Sequence, residues 1–138
     1  MSDTNDWNKK IIKEFRANEG KVGGRFENMT LVLLHTTGAK SGLGRINPLV
    51  CMPDGDRIIV CASKGGAPSN PDWYYNLVSN PEVVVEYGTE EFKAKATVTE
   101  EPERTELYAK MTAMAPFFAE YQEKATRVIP VVALSRLP

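Results

Sequence analysis

One histidine, His35, and two cysteines, Cys51 and Cys61, are the chain's whole supply of nitrogen and sulfur metal ligands. That is too few for a zinc site or a disulfide framework, and no metal is expected. His35 closes an apolar run with no Cys or Asp partner nearby, so it reads as a packed or hydrogen-bonded residue, not as part of a triad. The serine-nucleophile pattern G-x-S-x-G is missing. No apolar run approaches the roughly 18–20 residues of a membrane span, and the N-terminus lacks a signal-peptide core. The expected location is the cytoplasm, with no transmembrane segment. A formal net charge of −1 gives no whole-chain attraction for a polyanion, so no nucleic-acid partner is expected. A two-residue turn at Asp54-Gly55 would set Cys51 opposite Ile58 and Cys61 opposite Pro48. The thiols would then lie apart and stay free.

What is present suits one globular domain over residues 1–138, with 1–24 an N-terminal helix and loop: 42% of residues are hydrophobic and 25% charged. Charge is unevenly spread. Residues 9–70 hold ten Lys/Arg against five acids, whereas 82–106 hold eight Glu against three cations. Helices are expected at 6–18 with Asp6 as cap, from Asn70-Pro71-Asp72 to about 80, from Pro102 to about 114, and at 117–125 beyond Pro116. Strands are expected at 29–35, 45–52, 57–63, 82–87, 91–98 and 127–134, with hairpin turns at 53–56 and Gly88-Thr89. Pro48 marks an edge or a bulge. A βαβ alternation is absent. The expected class is therefore mainly β with peripheral helices (α+β), about six largely antiparallel strands closing into a small barrel.

Two small-residue loops stand out between residues 36 and 68. Thr36-Thr37-Gly38-Ala39-Lys40-Ser41-Gly42-Leu43-Gly44-Arg45 and Ala62-Ser63-Lys64-Gly65-Gly66-Ala67-Pro68 contain cations and no acid. Glycines admit a ligand close to the backbone, and exposed amides beside Lys or Arg suit a phosphate or another anion. The first loop is not a nucleotide P-loop, because Ala39 precedes Lys40 and no glycine stands five residues earlier. Each loop can also be read as a solvated connector. Ser63 ends a strand and Lys64 follows at a rim, where ligands enter barrels.

Trp73, Tyr74, Phe117, Phe118 and Tyr121 form an aromatic set that serves either as core or, beyond the Pro116 break, as a pocket wall. The helix at 6–18 puts Trp7, Ile11, Ile12 and Phe15 near one face, and Lys9, Lys10, Lys13 and Arg16 on the other. That polar side reads as a solvated face, with the helix otherwise a lid or a weak peripheral membrane contact.

Together with Arg45-Ile46-Asn47-Pro48-Leu49, Asp54-Gly55-Asp56, Asn70-Pro71-Asp72-Trp73-Tyr74-Tyr75-Asn76-Leu77, Asn80-Pro81 and Arg127-Val128-Ile129-Pro130-Val131-Val132, the two loops form an ordered set. The chain resembles the deazaflavin (coenzyme F-420)-dependent nitroreductase family of actinobacteria from about residue 24 to 134. The resemblance implies a split β-barrel close to that of the flavin-mononucleotide oxidases. It also implies coenzyme F-420, an 8-hydroxy-5-deazaflavin with a phosphate and an oligoglutamate tail. By that resemblance Lys40, Ser41 and Arg45 meet the phosphate and tail, Ile46, Asn47, Pro48, Leu49 and Val50 run beside the ring, Ala62, Ser63, Lys64, Gly65 and Gly66 close its other side, and Trp73 packs near the head. The nitroimidazole-reducing members carry tyrosines at a substrate pocket; the matching positions here are Ala115, Phe118 and Tyr121, which keep one hydroxyl. The expected activity is hydride transfer to an unsaturated hydrophobic small molecule, a quinone, enone or fused lactone, with nitro compounds disfavoured. Ser63 and Tyr121 are the candidate proton donors, beside a pocket water. The chain is expected to be a monomer, with a dimer as the alternative. The alternatives are a non-enzymatic deazaflavin carrier and a flavin-mononucleotide barrel.

Overall fold

A computed structural model describes residues 3–26 and 29–138. Helix α1 (Asp3–Ala17) leads through a short 3-10 turn (Gly24–Phe26) into β1 (Leu31–Thr37), β2 (Gly44–Val50), β3 (Met52–Asp54) and β4 (Arg57–Cys61). A second 3-10 turn (Lys64–Gly66) precedes α2 (Asp72–Ser79), and the hairpin β5 (Glu82–Tyr87) with β6 (Glu90–Val98) follows. Helices α3 (Glu103–Met114) and α4 (Phe117–Lys124) then return the chain to β7 (Val131–Arg136). All described pairings are antiparallel, in the order β2-β1-β5-β6-β7-β4-β3. The result is a curled seven-stranded half-barrel with four helices around it.

Seven strands replace the expected six because the segment 45–52 divides at Cys51. Val50 still pairs with Leu31, whereas Met52 pairs with Ile59 on the opposite edge of the sheet. The turn also sits one residue later than expected: Asp54 faces Arg57 across Gly55-Asp56, with Gly55 at φ 62° where a primed hairpin turn demands a left-handed residue. Cys51 and Cys61 therefore do not take the partners inferred from a turn at Asp54-Gly55, and Pro48 instead faces Leu33 on β1. Both thiols are free and buried, and burial pushes each up to about 12. Asp6 is not the cap of α1, which begins three residues earlier. The last strand starts after Pro130, which has no N–H to give the ladder, and runs on to Arg136, whose guanidinium lies 4.5 Å from the Phe92 ring centroid.

Alternation along the strands feeds one core inside the curl and two outside it. Val32 and Leu34 of β1, Ile58 and Val60 of β4, and Val132 and Leu134 of β7 point into the curl, where Trp73 and Leu77 of α2 join them. Their neighbours point outwards. Leu31 and Leu33 pack under Phe15 of α1, while Ile59, Cys61, Val131 and Ala133 pack under Leu107, Met111 and Phe118 of α3 and α4. A sheet covered on both faces explains why these strands read as unbroken apolar runs.

Consecutive residues of β1 test that arrangement. Leu33 and Leu34 are both fully buried, on opposite faces. Leu33→Ala and Leu34→Ala are each expected to destabilise the protein by about 2–5 kcal/mol in urea unfolding. A sheet with one wet face would instead let one of the two pass at under about 0.5 kcal/mol.

Candidate active site

Where the ends of β2 and β4 come together at the rim of the curl, a cavity of about 420 Å³ opens. Pro48, Leu49 and Val50 form its floor with Leu31 and Cys61. One wall is the connection after β4, Ser63, Lys64 and Gly65, continued by Pro71 and Trp73 at the start of α2. The facing wall is α4, with Phe117, Phe118 and Tyr121. Trp7 and Ile11 of α1 close the top with Phe26, whose ring meets Trp7 edge-on at 5.8 Å. Among the described lining residues, Ser63 and Tyr121 bring hydroxyls and Lys64 an ammonium to this otherwise apolar space, beside the indoles of Trp7 and Trp73 and the Cys61 thiol.

Both walls are built by close backbone packing. Lys64, Gly65 and Gly66 are all left-handed, at φ 46°, 64° and 86°. A Cβ on Gly66 would lie 3.0 Å from the Tyr121 carbonyl oxygen and 3.1 Å from Cβ of Lys124, so glycine alone lets this loop rest on α4. Pro116 ends the α3 path and opens α4, and the Tyr108 hydroxyl donates to the Phe118 carbonyl at 2.5 Å. Desolvation, the main cause, pushes that phenol up to about 12. The rings of Phe117 and Phe118 lie 4.8 Å apart, and that of Tyr121 stands 87° to Phe118. Ala115 is fully buried in the outer core and does not line the cavity. Ala62 points into the curl, so only its neighbours face the cavity.

Trp73 lines both this cavity and a neighbouring groove along β2. Its first stretch runs past Arg45, Ile46 and Asn47, between Lys9 of α1 and Asn76 of α2. Its second reaches Lys40 and Ser41. The glycine-rich loop is held there by Asn76, whose Oδ1 accepts from the Ala39 amide at 2.9 Å and whose Nδ2 donates to Thr36 Oγ1 at 3.2 Å. Ser41 Oγ accepts from the Leu43 amide at 3.1 Å. Lys40 and Arg45 are exposed and make no ion pair among the described residues. The loops themselves carry no acid, but the fold brings one to both stretches of the groove: Asp72, the first residue of α2.

His35 lies away from the cavity. Its Nε2 donates to Glu86 Oε2 at 2.6 Å, and Arg16 of α1 binds the same carboxylate through Nε at 3.1 Å and Nη2 at 2.7 Å. Glu91 brings a third potential ligand within 4.8 Å, but the guanidinium already supplies the positive charge. The Arg16 hydrogen bond is the chief cause that holds Glu86 below the usual carboxylate range, opposed by burial and helped by His35. This latch fixes the end of α1 remote from Trp7.

A model of the family described as F420H(2)-dependent quinone reductase matches residues 7–136. The chain belongs to this family. It is 37% identical over 126 residues to an F420H(2)-dependent quinone reductase of Mycobacterium tuberculosis, an alignment covering 88% of this chain and 85% of the relative. A solved F420-H2 dependent reductase superposes with a TM-score of 0.70 at 39% identity, over 76% of this chain and 93% of its own. A second solved structure, a domain-swapped dimer, gives 0.73 at 33% identity over 97% and 100%. The family is an oxidoreductase family dependent on reduced deazaflavin, and its split-barrel-like fold is the one described above.

Several residues that build the site of this reductase were not evident in the sequence. Trp7 and Ile11 carried a signal, an apolar pair four residues apart. Asp72 showed only as part of a helix start and of the ordered motifs, with nothing to mark it as an acid in the groove. No described helix is long and apolar enough to cross a membrane.

The latch makes a pH-dependent prediction. A depressed carboxylate pKa contributes stability that is present above the unfolded value, near 4.5, and is lost as pH falls through the folded one. The parent should exceed Glu86→Gln in denaturant stability at pH 7, and the gap should close as pH drops below about 4.5. A gap independent of pH would assign the effect to packing.

Proposed function

We propose that this chain reduces quinones, or comparably flat enones and fused lactones, in the 420 Å³ cavity with hydride from reduced coenzyme F-420. The observation that carries the reading is that an aromatic-walled apolar cavity shares Trp73 with a groove at Arg45, which in turn shares Arg45 with the hollow at Lys40. A flat ring system with an anionic tail needs that combination. The donor set fits: two unpaired cations lie along the tail path, and at Gly42 and Gly65 the place a Cβ would take has nothing within 4 Å, leaving backbone open to a ligand.

In this reading Lys40, Ser41 and Arg45 hold the tail. Pro48 to Val50 and Ser63 to Gly65 flank the ring, and Trp73 packs at its head. The bound coenzyme supplies the hydride. Phe117 and Phe118 hold a flat acceptor against it, and Trp7 and Ile11 exclude water from above. Conversion of a quinone to a quinol also needs a proton at oxygen, and we take the Ser63 and Tyr121 hydroxyls, which both line the cavity, as its candidate donors. Ala115 lies outside the cavity and Phe118 has no hydroxyl, which supports weak turnover of nitroimidazoles.

We read the protein as one domain and a cytosolic monomer, with Trp7, 45% exposed, and the cations of α1 supporting a weak membrane-surface contact. A dimer in light scattering would overturn the oligomeric part.

Lys40→Ala and Arg45→Ala should each weaken coenzyme binding roughly ten- to a hundredfold, as expected for a lost charge-assisted hydrogen bond of about 1.5–3 kcal/mol, and flatten its salt dependence. Tyr121→Phe or Ser63→Ala should lower quinone turnover with coenzyme affinity nearly unchanged. Fluorescence titration and steady-state rates read both sets. Cation variants that bind like the parent at low salt would remove the groove from the site.

A further inference from the structure

A single guanidinium, that of Arg127 in the connection from α4 to β7, ties down the whole loop that forms one wall of the cavity. Its Nη2 donates to the carbonyls of Ala62 at 3.1 Å, Ser63 at 3.3 Å and Ser69 at 2.9 Å. Nε donates to the Ala67 carbonyl at 3.1 Å, and Nη1 to Asn70 Oδ1 at 2.5 Å. All five acceptors are neutral, and Arg127 makes no ion pair among the described residues. The planar fork is being used here, not charge neutralisation, and lysine cannot reproduce it.

The other end of this connection belongs to the facing wall. Gln122, next to Tyr121 on α4, donates through Nε2 to the Arg127 carbonyl at 2.8 Å and accepts the Ile129 amide at 3.2 Å. Arg127 thus stands between α4, which carries Phe117, Phe118 and Tyr121, and the loop, which carries Ser63, Lys64 and Gly65. Gly66 supplies a contact between the same two elements that limits how closely they approach but does not hold them from moving apart.

We infer that Arg127 is a positioning residue for the reaction: it fixes the gap between the loop wall and the aromatic wall, and with it the distance over which hydride passes to the acceptor. Arg127 itself does not line the cavity, so it acts only through the loop. The inference rests on the cavity being the coenzyme and acceptor site. Hydride transfer depends steeply on such a gap, and a misplacement of about 1 Å can cost about a hundredfold in rate. Coenzyme affinity is spread along the groove to Lys40 and depends on it far less.

The test compares the parent with Arg127→Lys at saturating coenzyme and well below the melting temperature. Single-turnover oxidation of reduced coenzyme by a soluble quinone gives the transfer rate, and fluorescence titration gives the affinity. The expected result is a loss of transfer rate exceeding the loss of affinity by about fivefold or more. A smaller excess, including parallel losses, overturns the inference and leaves Arg127 as a purely structural tie. If Arg127→Lys does not fold, Asn70→Ala removes one of the five bonds; there an excess of about twofold or more supports the inference and anything less overturns it. Failure of the site itself would look different, because the parent would then bind no coenzyme.

Discussion

Only Cys51 separates β2, at one edge of the seven-stranded sheet, from β3 at the other. Consecutive Cα atoms are 3.8 Å apart, so the two edges must meet at this corner and the sheet cannot lie flat. Cys51 is fully buried, and its amide donates to the Thr30 carbonyl at 2.9 Å. The curl that follows gives the sheet an inside and an outside, and each needs cover: side chains and α2 within, α1 and the α3–α4 pair without. The rim cavity is a consequence of the same corner. Pro48, Leu49 and Val50 lead into it along one edge, and Cys61 ends the strand beside the other, with Ser63 just beyond.

Chemistry follows from how that rim is furnished. The strand ends offer backbone and apolar side chains but little charge, so cations come from loops and order comes from hydrogen bonds behind them. Asn76 holds the glycine-rich loop from beneath, and Arg127 holds the Ser63–Asn70 loop from behind. Neither lines the apolar cavity. Asp72 adds an acid to the groove that Arg45 also lines, which lowers the positive potential there.

The hairpins were legible because local chemistry decides them: Gly88-Thr89 joins β5 to β6 as expected, and Pro116 separates α3 from α4. Register was less legible. Asp54-Gly55 and Gly55-Asp56 are both plausible turn pairs, and one residue of slip moved the expected partners of Cys51 and Cys61. The break at Cys51 left no trace in the sequence, since nothing in Val50-Cys51-Met52 marks a change of edge. Of the residues lining the cavity and groove, Lys40, Arg45, Ser63 and Lys64 were picked out by their glycine-rich surroundings. The cover from Trp7 and Ile11 showed only as an amphipathic face, and the long-range ties of Arg127 and of Arg16 with Glu86 were invisible because they join residues 57–65 and 70 positions apart.

The account stands on the rim cavity holding both coenzyme and acceptor at once. Anaerobic stopped-flow mixing of the protein and reduced coenzyme F-420 with a soluble quinone tests this directly. Protein-dependent oxidation of the coenzyme with formation of one quinol per coenzyme is the predicted result. Tight coenzyme binding with no oxidation above the protein-free rate would contradict it, and would make this member of the family a carrier.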